Sequence, residues 1–137
     1  MSRQIVMTQF DKERLDELLA VADAFRGRDR EDVLDLQAEM ARAEIVASEK
    51  IPGDVETMNS QVVLRDLDTS AQLTYTLVFP RDADIGAGKI SVLAPIGTAI
   101  LGYRAEDMIE WSVPSGTRRI QIERILYQPE AAGDLHL

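Results

Sequence analysis

The chain has 137 residues, 28% of them charged and 45% hydrophobic, with a net charge of −9 and no cysteine. That length makes one ordinary domain or two small modules. Disulfides and Cys-ligated zinc are excluded, and direct nonspecific binding to nucleic acid is disfavoured, because phosphate contacts need clustered Lys and Arg.

The N-terminal apolar block, Ile5-Val6-Met7, is too short for a signal-peptide core. No uncharged apolar run approaches the ~18 residues of a membrane span. The expectation is a cytoplasmic protein with no membrane contact. Helical spacing begins with Asp11 as a cap, followed by Leu15, Leu18, Leu19, Ala22 and Phe25. Arg26-Gly27-Arg28 interrupts it. A second helix is predicted from Asp29 to about Ala47, with Val33, Leu36, Met40 and Ala43 on its apolar face. At ~1.5 Å per residue it would be roughly 27 Å long. So short a link predicts an antiparallel two-helix hairpin.

Ile51-Pro52-Gly53 marks a boundary, giving an N-terminal segment 1–52 and a C-terminal domain 53–137. Beyond it the period changes to two. Leu73, Tyr75, Leu77 and Phe79 alternate with polar residues, as do Ile109, Trp111 and Val113, and Ile120 and Ile122. Together with runs at 61–66 and 89–93, they predict about five strands of an antiparallel sheet. Asp68-Thr69-Ser70 and Pro114-Ser115-Gly116 are the predicted turns. The fold class is α+β.

The most apolar stretch, SVLAPIGTAILGYRAED at 91–107, is punctuated by Pro95, Gly97 and Gly102. A residue before proline prefers extended geometry, and Pro95 suits the first position of a short helix. Gly102 suits a left-handed C-terminal cap, and Gly97 permits close approach to a neighbouring backbone. Leu93, Ala94, Pro95 and Ile96 form the strand-to-helix corner. They read either as structural necessity or as an apolar contact surface. Ala94 offers no capping oxygen.

Asp29, Glu31 and Asp32 cluster where the second helix starts. Paired carboxylates suit a divalent cation. Helix capping and dipole complementation explain the same acids, and Arg26, Arg28 and Arg30 beside them favour that reading. Gly86-Ala87-Gly88-Lys89 fails as a phosphate loop, because Ile90 and a strand follow it; a turn is expected. His136, the sole histidine, stands next to the last residue, which argues against a His-based triad. No catalytic residue, cofactor or metal site is expected.

The runs ISVLAPIGTAILG and WSVPSGTRRIQIERI, behind two predicted helices, resemble the GreA/GreB transcription-factor superfamily. The segment DVETMNSQV (54–62) and the tail YQPEAAGD (127–134) narrow the resemblance to its Rnk group, over nearly the whole chain. The resemblance implies a short N-terminal coiled coil and an FKBP-like C-terminal domain. It also implies that the C-terminal domain docks at the rim of the secondary channel of bacterial RNA polymerase, with DNA reached only through polymerase. The superfamily's docking corner (an acid, a serine, a proline and an apolar residue) falls on Leu93, Ala94, Pro95 and Ile96; the last two agree and the first two depart. Cleavage factors of the superfamily present two tip acids towards the catalytic magnesium. Asp29 and Asp32 could imitate that pair, but on a shorter hairpin, so the implied behaviour is competition with Gre factors without transcript cleavage. A monomer suits such binding.

Two other functions fit parts of the chain. One is a true cleavage factor using Asp29, Glu31 and Asp32. The other is a peptidyl-prolyl isomerase, suggested by fold analogy alone, for which seven aromatic residues spread along the chain make a poor pocket.

Overall fold

Thr8 ends one element and starts the next. The computed structural model describes residues 5–20, 28–113, 116–135 and 137. In it β1 (Val6–Thr8) runs directly into α1 (Gln9–Leu19). Thr8 Oγ1 accepts the Asp11 N–H at 3.0 Å, supplying one orphan donor of the first turn with an acceptor. The cap is therefore Thr8, and Asp11 lies inside the helix. The expectations placed on Ala22, Phe25, Arg26, Gly27, Pro114, Ser115 and His136 lie outside the described residues.

The second helix, α2 (Arg28–Ala41), is shorter than its sequence pattern implies. Arg42 and Ala43 donate to the carbonyls of Glu39 and Met40, which closes the last turn. The chain then enters β2 (Glu44–Val46), paired in parallel with β1 from Val6↔Glu44 to Thr8↔Val46. Ile45 and Val46 are β-branched and suit a strand. The waiting edge of β1 decides the matter, and α1 and α2 form the crossover that a parallel pair requires. At 14 residues, α2 is ~21 Å long rather than ~27 Å.

The main sheet has the order β5-β4-β3-β7-β6, built from β3 (Gln61–Asp66), β4 (Gln72–Val78), β5 (Lys89–Ser91), β6 (Met108–Val113) and β7 (Gly116–Tyr127). All pairs are antiparallel except β4–β5, which is parallel. The expectation of a wholly antiparallel sheet is thus corrected at one edge. Two 3-10 turns, Pro80–Asp82 and Ile85–Ala87, carry the chain back so that β5 starts beside Thr76. Gly88, at φ 75°, lies where the sequence predicted a turn.

The short helix α3 (Pro95–Ile100) follows β5 with Pro95 at its start. A Cβ on Gly97 would stand 2.2 Å from the Ser91 carbonyl oxygen, so only glycine lets α3 lie this close. Gly102 follows at φ 82°, and its carbonyl accepts the Val6 N–H at 3.1 Å. Behind these contacts, one cluster of buried side chains joins Ile5, Leu15 and Leu36 of the first half to Leu64, Leu77 and Ile122 of the second. The tail motif has a structural task. Gln128 caps α4 (Pro129–Ala132), and its Nε2 donates to the carbonyls of Pro52 and Val55 at 2.8 and 2.9 Å.

Candidate functional site

The corner 93–96 is rigid because Ser91 holds it. Its Oγ accepts the Leu93 N–H, and its carbonyl accepts the Ala94 N–H, each at 3.0 Å. Thr98 then returns, donating from Oγ1 to the Val92 carbonyl at 2.6 Å and from its N–H to the Ala94 carbonyl at 2.9 Å. Ala94 takes the capping position with no side-chain bond. Pro95 is exposed, Leu93 and Ala94 are half-buried, and Ile96 is half-buried against the core. Ile96 thus packs inward, and Pro95 faces outward.

α2 lies beside this corner, touching α3. Between α2, α3 and β6 runs a groove of about 360 Å³. One wall carries Leu93, Pro95 and Ala99, with Tyr103 and Ile109 further in. The other carries Asp32, Asp35 and Glu39, and Glu110 of β6 adds a fourth carboxylate. No Lys or Arg is among the described lining residues. Described cations answer part of this charge. Arg42 sits 2.6 Å from Glu39 and donates to the Tyr103 hydroxyl at 2.7 Å, and Glu110 faces Arg119 across the β6–β7 ladder.

Of the three acids singled out in the sequence, Asp32 alone among the described side chains lines this groove. Glu31 is exposed, and the side chain of Asp29 lies outside the described residues. Asp35, Glu39 and Glu110 were missed. The signal for two of them was present: residues 32, 35 and 39 fall at i, i+3 and i+7, one face of a helix. Among the described residues no three His, Asp or Glu side chains are grouped to hold a metal ion.

Two further carboxyls are buried where α1, residues 54–60 and α4 meet. Asp11 is 1% exposed, accepts the Met58 N–H at 3.0 Å, and is bridged by Arg14. Burial pushes its pKa up to about 6, against the lowering effect of these two partners; Glu130 adds to the rise. Glu56 is fully buried, and neither carboxyl oxygen has a hydrogen-bond partner among the described residues. Burial, with Glu130 nearby, holds its pKa well above the carboxylate range. Glu130 itself accepts from the Thr57 hydroxyl at 2.8 Å. A larger cavity of about 450 Å³, lined by Arg14, Glu17, Phe79 and Arg81 among others, contains none of the site residues expected from the sequence.

The family described as "Transcription elongation factor, GreA/GreB, C-term" matches residues 51–127, and "Rnk N-terminus" matches residues 3–46. The chain belongs to the GreA/GreB family and carries the Rnk N-terminus. It is 40% identical to the "Regulator of nucleoside diphosphate kinase" of Escherichia coli strain K12, over 95% of this chain and 94% of that protein. It is 37% identical to the transcription elongation factor GreA of Syntrophotalea carbinolica, over 69% of this chain and 60% of that one. Among solved structures, a GreA/GreB transcription elongation factor from Nitrosomonas europaea superposes with a TM-score of 0.71 at 42% identity. That match covers 90% of this chain and all of the other. The α+β fold expected from the sequence is thus seen in a GreA/GreB relative as well. No described helix is long and apolar enough to cross a membrane.

Proposed function

We propose that this protein is a transcription regulator that binds RNA polymerase, occupies the entrance of its secondary channel and competes with Gre factors there without stimulating transcript cleavage. In this reading residues 53–137 form an FKBP-like anchor, and residues 1–52 form a short two-helix coiled coil. Leu93, Ala94, Pro95 and Ile96 touch the channel rim. The kinship with GreA/GreB factors supports the polymerase partner.

The observation that carries the absence of cleavage is the position of α2. With 14 residues, α2 spans ~21 Å, and Asp32, in its second turn, opens into the same groove as Leu93 and Pro95. An acid lodged beside the docking corner is not free to reach a distant catalytic magnesium.

A pull-down with core polymerase tests the anchor. Pro95 is exposed, so Pro95→Asp should abolish retention with the fold intact; Ile96→Asp should do the same, checked by thermal melting because Ile96 packs on the core. Retention of both variants at the wild-type level would remove the corner from the interface. Stalled elongation complexes test the chemistry. Added protein should leave transcripts full length and should slow GreA-stimulated shortening. Shortened transcripts that disappear in the Asp29→Ala, Glu31→Ala and Asp32→Ala variants would make it a cleavage factor instead.

A further inference from the structure

Glu56 cannot reach water by moving itself. Its N–H donates to the Tyr103 carbonyl, and its carbonyl accepts the Gly102 N–H, each at 2.9 Å, so the residue is pinned from both sides. Its side chain is fully buried with no partner among the described residues. Ionisation there would strand a charge without water or donor, and relief must come from an element that covers it. Two observations select α4. It carries Glu130, the charged group among the described residues that acts on Glu56. On α1, by contrast, Asp11 is held by Arg14 and the Met58 N–H, while Tyr127 and Asp134, bonded to each other, act with Glu130. The helix is also lightly held. Of its four residues only Pro129 is buried. Thr57 Oγ1 donates to Glu130 at 2.8 Å, and Gln128 Nε2 reaches the Pro52 and Val55 carbonyls. Elements with few buried apolar contacts open at lower free energy than the whole molecule.

We propose that α4 is a proton-operated latch: protonated Glu56 keeps it docked, and loss of that proton releases residues 128–133 as a local unit. Release frees the Pro52 and Val55 carbonyls from Gln128 and so loosens the joint at the boundary between the two segments of the chain. The closed form holds its proton to higher pH than the open one, because burial favours the neutral carboxyl. Opening therefore gains weight as pH rises, by about tenfold per pH unit while one proton is released. Asp11 keeps its bonds to Met58 and Arg14 when α4 leaves, so its proton is not counted. The latch needs neither the corner 93–96 nor polymerase.

Amide exchange of the full chain tests the latch, followed by NMR between pH 5 and 8 and corrected for intrinsic rates. Ala132 and Gly133 donate to the Gln128 and Glu130 carbonyls. Their protection should fall by about tenfold per pH unit and should not depend on low urea. The amides of β3 should stay far more protected and should respond to urea, since they open only with the whole molecule. Glu56→Gln has no proton to lose and should flatten the slope at Ala132 and Gly133. Glu49→Gln, exposed on the 3-10 turn Ser48–Lys50, should leave it unchanged. Glu130→Gln keeps an acceptor for Thr57 but removes the charge that acts on Glu56, and should move the fall in protection to higher pH. An unchanged slope in Glu56→Gln overturns the proposal. So does one shared protection and urea response at α4 and β3: the whole molecule then opens at once, and pH-dependent stability survives without a latch.

Discussion

Burial of the Glu56 carboxyl, with no partner for either oxygen among the described residues, favours its neutral form, since an ionised carboxylate there would lack both water and a donor. Asp11 is a milder case: buried, raised to about 6, but bonded to Met58 and Arg14. Both shifts have the same consequence for stability. The native state holds its protons to higher pH than the unfolded chain, so stability is full below the unfolded pKa and is lost as pH rises through the folded one. For Asp11 the window runs from about 3.8 to about 6, and a rise of roughly two units corresponds to about 3 kcal/mol. For Glu56 the loss continues above that window. Urea melts at several pH values should show stability falling as pH rises from 4 upward. Glu56→Gln, which cannot ionise, should gain stability over wild type at pH 8 and differ little at pH 4; an identical pH profile for both proteins would contradict the assignment. None of this was legible in the sequence, where Glu56 is one of two acids between Asp54 and Ser60. The stripe at Asp32, Asp35 and Glu39 was legible, because helical spacing is a local property.

At the scale of elements, α3 shows how one atom positions a surface. A methyl at Gly97 would collide with the Ser91 carbonyl and press on Leu77 Cδ1 at 3.2 Å. The helix must then shift, carrying the corner with it. Gly97→Ala should cost about 1–3 kcal/mol in denaturant unfolding and should weaken polymerase retention; a variant as stable as wild type would mean that α3 moves freely. The sequence reading of this element succeeded at Pro95 and Gly97, because each demand is stereochemical and local; Gly102 has the expected positive φ, but the C-cap is Leu101, and the Gly102 N–H bonds to the Glu56 carbonyl. It failed where elements depend on a neighbour. Residues 44–46 continue a passable helical pattern, yet they pair with β1. In β7 the alternation was readable only at 119–123, since register shifts against β3 at Gln61/Val62 and Val63/Leu64 break the period of two on which the pattern rests.

The whole molecule is tied together by its core. Leu15 of α1 and Leu36 of α2 are fully buried in the cluster that also holds Leu64, Leu77 and Ile122. Val6, bonded to Gly102, and Arg14, donating to the Leu137 carbonyl at 2.9 Å, add polar ties across the chain. Truncating Leu36 should therefore weaken everything together. Leu36→Ala is expected to lower stability by about 2–5 kcal/mol, with far-UV and tryptophan signals melting in one shared transition. Two separated transitions would show that the first 52 residues unfold on their own.

The sequence by itself determined two helices followed by a strand-rich half, the rigid corner with its glycines, and the likeness to GreA/GreB factors. These follow from periodicity, backbone stereochemistry and motif, each contained within a few neighbouring residues. Only the tertiary structure decided that β1 pairs in parallel with β2, and β5 with β4. It also decided that Glu56 loses all its water and that the acids of α2 face the apolar corner across one groove. Partner choice along a strand edge, desolvation and the meeting of two surfaces depend on groups tens of residues apart, and no local pattern records which of them will touch.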